Sequence, residues 1–513
     1  MISKVYSAGL TGAAGYEITV ECDIQNRLGQ FEMVGLPDAA VKEAKERVRA
    51  ACVNSGFPFP DTSVVVNLAP ADRKKEGTAY DLSVLMALLV SSGALRPDGM
   101  ECRCFIGELS LSGEVRPANG MLCRVLAAKE AGRTEIFVPY ENAEEAAVAD
   151  GVQVFGVRTV RELVDHLTGI ARLSPAVFSL DHFLQGATEC AYDFADVRGQ
   201  ERAKRALEIA AAGGHNVLLI GPPGTGKSML AGRLPGILPP LSFDEAVETT
   251  KIHSVAGLLP AHTSLVTTRP FRAPHHTATT VSLAGGGSAS LRPGEVSLAH
   301  NGVLFLDELP EYAKSVTEIL RQPLEDRTIT ITRMAGSVTY PCSVTLVCAM
   351  NPCKCGYYGH PTKPCTCTPA SRATYLARVS GPLLDRIDMQ IEVGSLSYEE
   401  LSEREKGESS AEIRARVQRA RAFALSRFTA GGEEISCNAQ MSAPQIRKYC
   451  ALTDETDAIL HHAYDSMNLS ARAHDRILRM ARTIADLDAS EQIKEPHLLE
   501  AISLRKLDRP DVE

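Results

Sequence analysis

Apolar and polar positions change their period several times along the chain, and each change marks an element. Tyr16-Glu-Ile-Thr-Val-Glu-Cys22 alternates with period two, which predicts a half-buried strand. From Ala39 to Cys52 the charges gather on one helical face, predicting an amphipathic helix. Ser63-Val-Val-Val-Asn-Leu68 predicts another strand. The longest apolar stretch, Leu82 to Leu95, is interrupted by Ser and Gly and is too short to span a bilayer, so it predicts a buried helix. Later, Val217-Leu-Leu-Ile220, Val303-Leu-Phe-Leu306 and Ser343-Val-Thr-Leu-Val-Cys-Ala-Met350 have the length and apolarity of buried strands. Ala411 to Arg421 is a charged helical pattern, and the stretch around Pro175 is irregular. These breaks divide the chain into an α/β block over 1–169, a linker over 170–192, a second block over 193–395 and a helical block over 396–513. No internal repeat or low-complexity tract appears.

The first buried run of the second block leads straight into Gly221-Pro222-Pro223-Gly224-Thr225-Gly226-Lys227-Ser228. This is the phosphate-loop pattern G-x-x-x-x-G-K-[S/T] in the context it needs, after a strand and before a helix. Gly221, Gly224 and Gly226 allow successive N–H groups to turn inward on a phosphate chain. Lys227 supplies charge to the β/γ-phosphates, and the Ser228 hydroxyl is placed to reach Mg2+. Val303-Leu-Phe-Leu-Asp307-Glu308 is the Walker B form, an apolar strand ending in two carboxylates. Asp307 is expected to hold the magnesium shell and Glu308 to polarise the attacking water. The expected activity is therefore ATP binding and hydrolysis.

Composition bounds that reading. With 513 residues, 44% hydrophobic and 23% charged, the chain is of ordinary globular composition, with length for about three domains. Its start, Met1-Ile-Ser-Lys-Val-Tyr-Ser, has no sustained apolar core of an export signal, and fourteen cysteines in a phosphate-loop protein point to reduced thiols, so a cytoplasmic location without membrane contact is expected. A net charge of −9 gives no global attraction to nucleic acid, but a sum does not describe local patches.

Further polar residues narrow the class. The strand from Ser343 ends at Asn351, Gly381-Pro-Leu-Leu-Asp-Arg-Ile-Asp388 places Arg386 before another strand, and Leu469-Ser-Ala-Arg-Ala-His-Asp-Arg476 begins a helix carrying Arg472. In this order the second block resembles the AAA+ ATPases, specifically their magnesium-chelatase-like branch. The resemblance implies a parallel-sheet P-loop core with a C-terminal helical lid. It also implies that Asn351 is a first sensor, Arg386 an arginine finger and Arg472 a second sensor, with Arg378 a rival finger. A finger reaching a neighbour's nucleotide implies a ring, which in this family is a hexamer.

The first block resembles the proteolytic domain of Lon proteases through Phe105-Ile-Gly-Glu-Leu-Ser-Leu-Ser-Gly-Glu-Val-Arg-Pro117, Val125 to Gly132 and Ile136 to Asn142. The Lon serine and lysine positions fall on Ala79 and Leu122, which can neither attack a carbonyl nor accept a proton. Ser83 and Lys75 are rivals out of register. A Lon-like domain lacking its catalytic pair, ahead of a chelatase-like ATPase, is the arrangement of the YifB/ComM family, which the chain resembles from end to end. That resemblance implies a DNA motor promoting branch migration in recombination or transformation; the alternative is a chelatase-like ATPase that remodels a protein partner.

A motor on DNA needs loops that hold phosphates without reading sequence. Two segments fit: Arg269-Pro-Phe-Arg272-Ala-Pro-His275-His276-Thr277, and a hairpin arm from Glu325 to Arg333 carrying Arg327 and returning through Val338-Thr-Tyr340. The bland reading of the second is an edge hairpin kept soluble by its arginines. Finally, Cys353-Lys-Cys355 and Cys365-Thr-Cys367 form two C-x-C pairs, with His360 between them as a substitute ligand. Four thiolates on one loop predict a structural Zn2+; free thiols or a redox switch are the alternatives.

Overall fold

A computed structural model describes residues 2–180, 183, 192–287, 291–333, 336–396 and 407–505. Parts of the expected linker (181–182 and 184–191) and of the expected helical block (397–406 and 506–513) lie outside the described residues.

The first sheet has seven strands in the order Phe31–Val34, Thr62–Ala69, Ala14–Leu28, Ser3–Thr11, Arg103–Phe105, Glu135–Pro139, Gln153–Val157. Ala14–Leu28 pairs antiparallel with both Ser3–Thr11 and Thr62–Ala69, Phe31–Val34 pairs parallel with Thr62–Ala69, and the last four strands run parallel. The alternation in Tyr16 to Cys22 holds, with Ile18, Val20 and Cys22 buried on one face. The apolar helix is Asp81–Ser91, buried at every position but its last. It stops short of Leu95 because Ser92 caps it and Gly93 follows at φ 79°. At the turn between the first two strands, Gly12 (φ 62°) lies so close to Val338 that an added Cβ would stand 2.1 Å from its Cγ1. The first sheet thus abuts the hairpin described below.

The second sheet has five parallel strands in the order Phe271–Arg272, Val303–Leu306, Thr345–Met350, Val217–Ile220, Met389–Glu392. Val217–Ile220 and Val303–Leu306 are apolar and buried at every position because both faces of the sheet are covered. Val217 and Leu219 pack into one cluster with Leu207, Leu230, Val417 and Ile477. Leu218 and Ile220 pack into the opposite one with Leu304, Leu346 and Tyr340. Between the second and third of these strands, Thr328–Arg333 and Gly336–Pro341 form the expected antiparallel hairpin.

From 407 to 505 the described chain is helical, with Ser410–Ala430, Ala443–Tyr449, Asp454–Ser466, Ala471–Leu487 and Glu495–Ser503. Ile477 and Val417 carry this block onto the core through the helix Glu201–Gly213. No helix among the described residues is long and apolar enough to cross a membrane.

Candidate functional site

The strand Val217–Ile220 delivers the phosphate loop, and the helix Lys227–Ile237 begins within it. Gly224 and Gly226 take φ 81° and 84°, where a side chain would be strained. Gly221 sits against the backbone of Val393, whose oxygen would be 2.2 Å from an added Cβ. Thr225 ties the loop by donating from Oγ1 to the Pro222 carbonyl at 2.9 Å. Lys227 is 8% exposed and its Nζ donates to the carbonyls of Gly221 and Pro222, both at 2.8 Å, and to Asn351 Oδ1 at 3.3 Å. Burial pulls its pKa down, and the Asp307 charge partly restores it. The side chain is curled onto its own loop, and an incoming phosphate would offer its charge a better partner.

Because the Walker B strand and the strand ending at Met350 lie side by side, Asp307, Glu308 and Asn351 reach the same edge as the loop. Ser228 Oγ donates to Asp307 Oδ2 at 2.7 Å. This hydroxyl and carboxylate are hard oxygen donors side by side, the set Mg2+ prefers, so the residues fit the ion the motif implies. Glu308 adopts φ 51°, an uncommon conformation for a side-chain-bearing residue, and its N–H donates to Asp307 Oδ1 at 2.9 Å.

The two histidines lie beside the Walker B carboxylate Glu308. His276 Nδ1 is 3.2 Å from Glu308 Oε2, and the His275 ring stacks on it with centroids 4.1 Å apart. Sequence reasoning assigned both to DNA and missed this contact. Arg272, the other residue of that segment expected at DNA, is engaged within the chain. It sits on an edge strand of the core sheet, and its fork is filled by Glu295 through Nε at 2.6 Å and Nη2 at 2.8 Å. Arg269 is likewise held by Glu245 and by backbone carbonyls.

The hairpin separates its arginines. Arg333 is at the tip, exposed, and among the described residues donates only to the Thr332 carbonyl, at 3.2 Å; residues 334–335 lie outside them. Arg327 is at the base, at φ 56° where a short helix ends, and lines a groove instead. Arg386 and Arg472 line that same groove. Arg386 is folded back, with Nε on the Arg321 carbonyl at 3.0 Å, Nη1 on the Pro382 carbonyl at 2.7 Å and Nη2 on Glu325. Arg472 is largely exposed, 3.9 Å from Asp385, and the rival Arg378 pairs with Glu311 at 3.0 Å.

The four cysteines converge. Cys353 Sγ is 3.4 Å from Cys355 Sγ and 3.7 Å from Cys365 Sγ, and the latter two are 3.6 Å apart. All four sulfurs, Cys367 included, lie within 4.8 Å of one another. Tetrahedral zinc with ~2.3 Å bonds needs sulfurs about 3.8 Å apart, so the set fits. Backbone N–H groups of Tyr357 and Thr366 hold the Cys355 thiol well below its ordinary range, favouring the thiolate. His360 is turned away, its Nδ1 accepting from the N–H groups of Thr362 and Lys363. The loop leans on the nucleotide site: a Cβ on Gly356 would meet Pro223 Cδ at 2.7 Å.

In the first domain Ala79 and Leu122, the residues onto which the resemblance places the Lon pair, are buried. Neither rival is free: Ser83 Oγ donates to the Tyr80 carbonyl at 2.7 Å, and Lys75 Nζ to the carbonyls of Arg73 and Pro70.

Family models agree with this architecture. "Magnesium chelatase, subunit ChlI" matches residues 193–401, "Subunit ChlI of Mg-chelatase" matches 20–142, and "Magnesium chelatase, subunit ChlI C-terminal" matches 407–505. Among relatives, the chain is 41% identical to protein YifB of Escherichia coli over 519 residues, covering 99% of this chain and 98% of the relative. It is 40% identical to the competence protein ComM of Haemophilus influenzae over 511 residues, again 99% and 98%. Similarity to Lon protease 2 of Bacillus subtilis is partial: 36% identity over 62 residues, 12% of this chain and 11% of that protein.

Proposed function

This chain belongs to the YifB/ComM branch of the magnesium chelatase ChlI-type AAA ATPases, and we propose on that premise that it is a ring-forming, ATP-driven motor that moves on DNA. One observation carries the choice of DNA. The hairpin between the Walker B strand and the Asn351 strand presents Arg333 at its tip with no carboxylate within ion-pair distance among the described residues. A guanidinium free of acidic partners is suited to a phosphate backbone held without regard to sequence. The name of the H. influenzae relative, a competence protein, points the same way.

In the cycle, Lys227 leaves the carbonyls of Gly221 and Pro222 for the terminal phosphates, while loop N–H groups hold the chain. Mg2+, when bound, neutralises phosphate charge, and Ser228 and Asp307 are the residues that would hold it. Glu308 accepts a proton from water, and Asn351 orients that water. Arg386 acts as a finger on the nucleotide of a neighbouring subunit, in a hexamer by the family reading, and Arg472 acts as the second sensor. The cysteine cluster holds a structural Zn2+, and the first domain, lacking a nucleophile and base, serves assembly or substrate holding without proteolysis.

A protein-remodelling motor is the second reading, because the matching family models describe a chelatase subunit. Comparing ATPase rates with no addition, with forked or single-stranded DNA, and with an unfolded protein separates the two. Stimulation by DNA is expected. Stimulation by unfolded protein alone would transfer the assignment to the second reading.

A further inference from the structure

We propose that the first domain is a strut that fixes the hairpin relative to the ATPase core, with Gly12 as the positioning residue under the hairpin. Its anchor on the core is the face onto which the resemblance places the lost Lon lysine. The inference goes beyond the assembly or substrate-holding role proposed above, and it does not rest on DNA as the substrate.

The anchor is built around Leu122. This side chain is fully buried in a cluster with Leu241, Ala246 and Leu265, all three from the ATPase core. A lysine there would bury its charge among aliphatic side chains, so this seat and the protease chemistry exclude each other. A polar knot surrounds the apolar centre. The Gly120 N–H donates to the Ser254 carbonyl at 3.1 Å and to Ser254 Oγ at 3.0 Å, and Ser254 Oγ donates in turn to Glu145 Oε1. That oxygen also accepts from the Leu122 N–H at 2.8 Å, so a carboxylate 3% exposed is answered from both domains. Ser254 belongs to the helix Phe243–Ala256. Glu248 of this helix meets His300 at 2.9 Å, and His253 Nε2 donates to the Leu298 carbonyl at 3.0 Å, both on the chain that enters the Walker B strand.

The second contact lies under the hairpin. Gly12 turns the chain at φ 62°, and a Cβ there would stand 2.1 Å from Val338 Cγ1 but 3.4 Å from Val338 Cβ. Ala13 beside it packs against the cluster that holds Ile331, Val338 and Tyr340. Ile331 and Val338 are partners across the hairpin, so the turn supports both arms. An isolated two-stranded ribbon is marginally stable, and its position is set by what it packs on. The first domain therefore touches the hairpin that follows the Walker B strand and the helix tied to that strand's entry.

The test follows hydrogen exchange of the amides in Thr328–Arg333 and Gly336–Pro341, in full-length protein without DNA. Gly12→Ala pushes a methyl group into Val338 and is expected to speed their exchange by about tenfold or more, while Val217–Ile220 is unchanged. Adding Val338→Ala leaves the two Cβ atoms 3.4 Å apart and should slow exchange again, although the strain at φ 62° is common to both variants. Ser254→Ala cuts the knot on a helix outside the hairpin and should speed hairpin exchange by about fivefold. It decides alone if Gly12→Ala does not fold. Unchanged hairpin exchange in either folded variant, no rescue by Val338→Ala, or equal acceleration in Val217–Ile220 overturns the strut. In a second arm, ATPase of Gly12→Ala is read with and without single-stranded DNA. The basal rate should hold, and stimulation should fall and return with Val338→Ala; undiminished stimulation would overturn Gly12 as a positioning residue. A wild type that ignores DNA, with the exchange pattern as expected, would sink the DNA reading and leave the strut standing.

Discussion

His276 Nδ1 stands 3.2 Å from Oε2 of Glu308, the carboxylate expected to prepare the attacking water. An acceptor so engaged is less available to a water, because its lone pair is directed at the imidazole. His276→Ala is therefore expected to raise basal ATPase, while DNA stimulation shrinks in proportion. Glu308 is more than half exposed. An exposed pair is worth at most ~1 kcal/mol, so the rise should be about fivefold or less. Steady-state rates with and without DNA check it; a fall in basal rate would instead make His276 a supporter of Glu308.

Lys227→Ala and Glu308→Gln should fail differently. Losing a hydrogen bond to a charged group costs ~1.5–3 kcal/mol, so Lys227→Ala should weaken ATP binding by about 10- to 150-fold. Glu308→Gln keeps the loop and should bind ATP normally, while single-turnover hydrolysis falls by about 10²–10⁴. Fluorescent-nucleotide binding beside quenched-flow hydrolysis distinguishes them. Wild-type turnover in Glu308→Gln would remove it as the base.

The loop and the Walker B strand were legible because each is a contiguous pattern whose period fixes its structure. The seven-strand sheet was only partly so: its alternating strands showed, but strand order depends on contacts far apart in sequence. The pairing of Arg272 was not legible, because a basic run looks the same whether or not its fork is filled, and Glu295 lies 23 residues away. That Arg476 and Arg479 share a groove with Arg472 was not read from the sequence, although a signal existed. With Arg472 they recur at i, i+4 and i+7, one face of the helix Ala471–Leu487.

Arg386→Ala is expected to keep nucleotide binding and ring formation while losing most ATPase. Its present partners, Glu325 and two carbonyls, must release it before it can act. Mixed with Lys227→Ala, it should regain activity at interfaces that join an intact loop to an intact finger. Absence of recovery in proven hybrids would point to Arg378.

Elemental analysis of reduced protein should find about one zinc per chain, and Cys353→Ser with Cys355→Ser should lose it, since a protonated serine hydroxyl is a poor ligand. Because Gly356 packs on Pro223, metal loss should also raise the KM for ATP while the protein stays folded by circular dichroism. A metal-free wild type would leave free thiols.

The hairpin supplies the sharpest test of the DNA reading, because its two arginines occupy different places. Arg333 at the tip is exposed, whereas Arg327 at the base lines the arginine groove. If the tip holds a phosphate, Arg333→Ala should weaken binding to every DNA sequence alike. It should also make the slope of log affinity against log salt shallower by about 0.7–0.9 for one lost contact. Arg327→Ala should leave that slope unchanged and lower ATPase with or without DNA. Titrations of labelled single-stranded and forked DNA over a salt series, on both variants, read the two effects separately. Equal slopes for Arg333→Ala and wild type would take the hairpin off the DNA and favour the protein-remodelling motor.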